Sequence, residues 1–89
     1  MAIGEFDGEG PAGRVLIVDD DPTTRSLLRG ILARQFDVVT ASSGEEALAL
    51  SREHLRDLVL LDVEMPGLGG YETCRRLCEI GPVPVIFAT

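Results

Sequence analysis

Asp62 follows four uninterrupted apolar residues, Leu58-Val59-Leu60-Leu61, and is followed by Val63-Glu64-Met65-Pro66-Gly67. An apolar run without polar alternation, bounded by charge before it and turn residues after it, reads as a strand buried on both faces. Its carboxylate then stands where the strand leaves the sheet, the edge at which open α/β sheets bind ligands. Taken alone, such a residue could do no more than cap the next turn. Two more apolar runs change its context. Arg14-Val15-Leu16-Ile17-Val18 ends in Asp19-Asp20-Asp21, and Val83-Pro84-Val85-Ile86-Phe87-Ala88 ends in Thr89. If these strands run parallel, Asp19, Asp20, Asp62 and Thr89 share one edge. Two like charges ~5 Å apart repel by about 3 kcal/mol at an effective dielectric of ~20. Left uncompensated, the cluster raises its own pKa values or loosens the fold. A hard divalent cation relieves the repulsion, and an oxygen-only donor set suits Mg²⁺.

The intervening segments supply what such an edge needs. Pro22 suits a first helical position, with Asp21 before it as N-cap. Leu27, Leu28, Ile31 and Leu32 recur at helical spacing, which predicts a helix over residues 23–34 with Arg25, Arg29 and Arg34 on its polar face. Residues 37–41 are rich in β-branched side chains and read as a short strand. Ser43-Gly44-Glu45-Glu46 matches a capping box and opens a second helix over residues 44–54, whose apolar side holds Ala47, Leu48, Leu50 and Leu55. Pro66, Gly67, Gly69 and Gly70 exclude regular structure after Asp62. Tyr71, Cys74, Leu77 and Cys78 predict one side of a third helix, ended by Gly81-Pro82. The order β-α-β-α-β-α-β implies an α/β fold, with a parallel sheet, right-handed crossovers and helices on both faces.

Composition narrows the function classes. The chain has 89 residues, 45% of them hydrophobic, so one globular domain is expected. Residues 1–13, rich in Gly with Glu and Asp, read as a disordered leader or an expression remnant. The net charge of −7 disfavours direct nucleic-acid binding by this segment and fits a cation site or a basic partner. No apolar run approaches the ~18 residues of a membrane span. The opening residues lack the basic-then-apolar order of a secretion signal. With two cysteines, Cys74 and Cys78, a reducing, cytoplasmic setting is expected. The two read as packing residues, because no further thiol or nearby His completes a metal site. The single histidine, His54, falls near a helix end, where a solvated or capping role is expected.

Three motifs, Val18-Asp19-Asp20-Asp21, Leu61-Asp62-Val63-Glu64-Met65-Pro66-Gly67 and Val85-Ile86-Phe87-Ala88-Thr89, together resemble the receiver domain of bacterial two-component response regulators. The match covers residues 14–89. The resemblance implies a flavodoxin-like, doubly wound parallel sheet with strand order 2-1-3-4-5, and Mg²⁺-dependent phosphorylation of an aspartate by a sensor histidine kinase or phosphotransfer protein. It makes Asp62 the phosphoacceptor and Asp20 a direct Mg²⁺ ligand. Asp19 assists through water, the Glu64 backbone carbonyl ligates the metal, and Thr89 senses the phosphoryl group. Gly69 stands where the family often has Asp before the third helix. The family continues beyond the residue matching Thr89 with a fourth helix, a fifth strand, a lysine that contacts the phosphoryl group, a switch aromatic and a fifth helix. The fold is therefore expected to be incomplete here. Its fourth-strand edge and one sheet face would stand uncovered, which predicts a homo-oligomer.

Two other classes compete. A haloacid-dehalogenase-type phosphatase also uses a strand-end Asp with Mg²⁺, but would place a second Asp where this chain has Glu64. A receiver-like interaction or dimerisation module without phosphotransfer is the alternative. A dinucleotide-binding reading fails, since no G-x-G-x-x-G follows the first strand.

Overall fold

The computed structural model describes residues 13–54 and 56–88. Four strands form one parallel sheet: β1 (Arg14–Val18), β2 (Asp37–Ala41), β3 (Leu58–Leu61) and β4 (Val85–Phe87), in the order β2-β1-β3-β4. Three helices connect them: α1 (Pro22–Leu32), α2 (Gly44–Glu53) and α3 (Gly70–Ile80). The alternation read from the sequence is thus present, with the first four positions of the 2-1-3-4 order. Of the leader expected over residues 1–13, only Gly13 is described. Its carbonyl accepts from the Asp37 N–H at 2.8 Å.

The unbroken apolar runs have a simple cause. Successive residues of β1 point to opposite sides of the sheet, and both sides are covered. Leu16 and Val18 join Ala41, Ala47, Leu48, Val59, Leu61, Met65 and Leu77 in the larger core, beneath α2 and α3. Val15 and Ile17 join Val38 in a smaller one, against Leu28 and Leu32 of α1. Met65, which the sequence places in a loop, is 8% exposed and belongs to the larger core.

Local chemistry sets the helix starts. Asp21 caps α1: its carboxylate accepts from the Thr23 N–H at 3.1 Å and from the Thr24 hydroxyl at 2.9 Å, with Pro22 at the first helical position. Ser43 caps α2 by accepting from the Glu46 N–H at 3.1 Å. The return half of that capping box differs from expectation, because Glu46 reaches the N–H and hydroxyl of Ser42 rather than the cap residue itself. His54 ends α2, exposed, its N–H donating to Leu50.

Three expectations need correction. The first helix stops at Leu32, two residues early, and has no fully buried residue. Leu28 and Leu32 face the sheet, while Leu27 and Ile31 are 63% and 60% exposed. The buried side of α3 is Gly70, Thr73 and Leu77, with Cys74 half-buried against the core. Tyr71 is exposed and packs its ring on Phe87 with centroids 5.2 Å apart, and Cys78 is exposed. The fourth strand spans three residues rather than residues 83–88, since Pro82 and Pro84 lack the N–H that a ladder needs. The Pro84 carbonyl still accepts from the Val59 N–H at 3.0 Å. Leu55 lies outside the described residues.

Candidate functional site

The parallel register brings the acidic residues together. Val18 of β1 pairs with Leu61 of β3, so Asp19 and Asp62 leave the sheet side by side. The Asp62 N–H donates to the Val18 carbonyl at 2.9 Å, and the Asp19 N–H donates to the Ala41 carbonyl at 3.1 Å. Both main chains are therefore still held by the ladder at the point where their carboxylates emerge. Asp19, Asp20 and Asp62 each offer a carboxylate oxygen, and the three oxygens lie within 4.8 Å of one another. The three differ in environment: Asp19 is buried at 7% exposure, Asp62 half-buried and Asp20 exposed.

Each inner carboxylate is oriented by the turn that follows it. Asp19 Oδ1 accepts from the Asp21 N–H at 2.9 Å, and Asp62 Oδ1 accepts from the Glu64 N–H at 3.1 Å. These are Asx-type bonds to the backbone two residues on, a local geometry that aspartate forms readily. Burial pushes the Asp19 carboxyl above its ordinary value. The Asp21 N–H opposes that shift, and the charges of Asp62, Asp20 and Asp21 add to it. The repulsion expected from the sequence is thus present, with desolvation the larger cause.

Glu64 is exposed, two residues beyond Asp62. Thr89 lies outside the described residues. The chain runs toward this edge as far as Ala88, whose N–H donates to the Leu61 carbonyl at 2.9 Å. Two residues that shape the site escaped sequence reasoning. Gly70 packs directly on the Asp62–Val63 backbone, with no room for a Cβ. Arg25 Nη1 donates to the Asp19 carbonyl at 2.7 Å. An arginine one turn into a helix after an acidic strand end was the available signal for the second. Gly69, at φ +82° and ψ 163°, is in a region open essentially to glycine alone, and α3 starts without a side-chain cap.

Fold and site define the class as an α/β protein with a parallel sheet and three carboxylates converging at its carboxyl edge, and comparison with known proteins supplies the family. Residues 15–89 match the response regulator receiver domain. The transcriptional regulatory protein AfsQ1 of Streptomyces coelicolor is 43% identical over 76 residues, covering 84% of this chain and 34% of that protein. A protein-glutamate methylesterase/protein-glutamine glutaminase of Methanospirillum hungatei is 38% identical over 79 residues, covering 85% of this chain and 23% of its own length. Among solved structures, the N-terminal domain of a response regulator receiver protein from Methanoculleus marisnigri superposes with a TM-score of 0.83 at 34% identity, covering 88% of this chain and 67% of that one. The chain belongs to the response regulator receiver domain family. It spans about a third or less of the length of these curated relatives.

Proposed function

We propose that this chain is a phosphoacceptor receiver, in which Asp62 takes a phosphoryl group from a sensor histidine kinase or a phosphotransfer protein with the help of Mg²⁺. The observation that carries the reading is the convergence of Asp19, Asp20 and Asp62 within 4.8 Å at the strand ends. The donor set fits the ion: it is all oxygen, carries several negative charges and is partly open to water, as Mg²⁺ prefers. Asp19, Asp20, Asp62 and the backbone carbonyl of Glu64 would hold it. Bound there, Mg²⁺ would neutralise charge that builds up as an anionic phosphoryl group approaches a carboxylate.

The chain's own residues supply the rest. Asp62 Oδ1 is engaged by the Glu64 N–H, while its other oxygen accepts from no protein donor among the described residues and is free to attack phosphorus. In that step the new O–P bond forms as the P–N bond of a phosphohistidine breaks, leaving the imidazole and an aspartyl phosphate. The Asp21 N–H keeps Asp19 turned inward. Thr89 is assigned the contact to the phosphoryl group on its place in the sequence motif.

The domain acts as a signal acceptor rather than an enzyme, in the cytoplasm and without contacting nucleic acid itself. No helix among the described residues is long and apolar enough to cross a membrane. Self-association is part of the reading, through the β4 edge or the sheet face beside α1. The exposed apolar side chains Leu27, Ile31, Ile86 and Phe87 support it.

The test is labelling with acetyl phosphate and Mg²⁺, followed by mass spectrometry. One phosphoryl group on Asp62, absent from Asp62→Asn, is expected. Undiminished labelling of Asp62→Asn would overturn the assignment. No labelling of the wild type under the same conditions would favour an interaction module without phosphotransfer.

A further inference from the structure

We propose that Arg25 is a positioning residue of the acidic site, holding the Asp19–Asp20 peptide in the orientation that lets both carboxylates meet Asp62. The inference rests on the reading of that cluster as a Mg²⁺ site. Arg25 stands one turn into α1, half-buried, and its Nη1 donates to the main-chain carbonyl of Asp19 at 2.7 Å. That carbonyl belongs to the peptide joining the buried Asp19 to the exposed Asp20. A peptide is planar, so fixing its oxygen fixes the direction in which the Asp20 Cα leaves the sheet. The other backbone group of Asp19 is already held, since its N–H donates to Ala41 at 3.1 Å. Its Oδ1 accepts from the Asp21 N–H at 2.9 Å. Arg25 supplies the remaining restraint, and it is the only one of the three that comes from a side chain.

Its neighbour gives a built-in comparison. Arg29, one turn further along α1, lines the same shallow cleft with Pro22, Ser26 and Thr40, yet makes no side-chain hydrogen bond to the site among the described residues. Both arginines carry positive charge and line one cleft, and among the described residues only Arg25 touches the Asp19 backbone. Charge and positioning therefore predict opposite signs. Deleting a nearby positive charge by itself strengthens cation binding. Deleting a restraint on the ligands weakens it, by roughly 10–100-fold for residues that orient metal ligands.

The experiment is isothermal titration of the metal-free chain with Mg²⁺, alongside circular dichroism without the ion. The wild type should bind. Arg25→Ala should bind roughly 10–100-fold more weakly while still folded. Arg25→Lys, which keeps a donor and the charge, should recover most of the affinity. Arg29→Ala should bind as tightly as the wild type or tighter. Arg25→Gln, which keeps a donor without the charge, replaces Arg25→Ala if the latter fails to fold, and should bind better than a variant with no donor, Arg25→Met. Equal or tighter Mg²⁺ binding by Arg25→Ala, or by Arg25→Met, would overturn the positioning role. So would an equal loss in Arg29→Ala. If the wild type takes up no Mg²⁺, the metal-site reading falls with it. If the wild type binds, Asp20→Ala does not, and Arg25→Ala matches the wild type, only the role of Arg25 falls.

Discussion

Gly70 lies against the turn that carries Asp62. A Cβ built on it would sit 2.6 Å from the Asp62 carbonyl oxygen and 2.6 Å from the Val63 Cα, both backbone atoms with no rotamer to escape into. Alanine would gain up to about 1 kcal/mol of helix propensity in a helix interior, and less at the first position of α3. Overpacking against a fixed backbone costs about 1–3 kcal/mol, so the clash outweighs the gain. Gly70→Ala is expected to melt at a lower temperature, and its response to Mg²⁺ should shrink because the turn holding Asp62 has moved. An unchanged melt would mean α3 can slide away freely. The acidic cluster gives a second test at this scale. A ligand present at 100 times its Kd adds about 2.7 kcal/mol of stability. In a domain of this size each kcal/mol moves Tm by roughly 4–8 °C. Millimolar Mg²⁺ should therefore raise the wild-type melt clearly and leave Asp20→Ala nearly unmoved. An equal rise in both would place the bound ion elsewhere.

At the scale of elements, α3 shows how a helix with an uncapped start is held. Its N-cap Gly69 offers no side chain, so the exposed side carries ion pairs instead: Glu72 with Arg75 and Arg76, and Arg75 with Glu79 at 2.7 Å. The hydrogen bonds from Arg75 and then Arg76 pull the Glu72 carboxyl down from 4.5 to about 2. A carboxyl whose pKa is lower in the fold stabilises fully above its ordinary value, and that contribution disappears as pH falls through the folded one. The gap in Tm between the wild type and Glu72→Gln should be constant above pH 4.5 and close as pH falls toward about 2. Salt should narrow the gap at neutral pH, because these groups are exposed and screened. A gap independent of both pH and salt would show that Glu72 acts through packing. The buried side of α3 is a different matter. Leu77 is 2% exposed, and Thr73 is fully buried with its hydroxyl donating to the Gly69 carbonyl. Truncating Leu77 to alanine should cost about 2–5 kcal/mol.

At the scale of the whole molecule, the two faces of the sheet carry cores of different size among the described residues. Among the described residues, the face under α2 and α3 holds the larger core, α1 packs on the other, and Leu27 and Ile31 are exposed. At the β4 edge, Pro84 and Ala88 turn their backbone groups toward β3. Alternation along a strand then turns the N–H and C=O of Val85 and Phe87 outward. Ile86 and Phe87 on this strand are 51% and 39% exposed, and none of the three residues of β4 is charged. An apolar strand edge with free donors and acceptors is a template for pairing with another chain. Sedimentation equilibrium at micromolar concentration should show association, weakened by Ile86→Lys. A single monomeric species with cooperative unfolding would show that the four strands are self-sufficient.

Residue order alone determined the alternation of strands and helices, the bounds of β1, β2 and β3, the Asp21 and Ser43 caps, and the three strand-end aspartates. These follow from interactions within a few residues: apolar runs, cap bonds, and prolines and glycines that bar regular structure. The strand order came from resemblance, since no local pattern ranks which strands pair. Tertiary structure alone decided which side of a periodic helix meets the core. Helical spacing groups Tyr71 with Cys74, Leu77 and Cys78, but the neighbouring elements leave Tyr71 and Cys78 outside and enclose Thr73. It also separated the aspartates, burying Asp19 and exposing Asp20 although they are adjacent in sequence and identical in type. Burial and hydrogen bonding depend on atoms brought from elsewhere in the chain, as with Ala41 on Asp19, and such partners carry no local periodicity by which sequence could announce them.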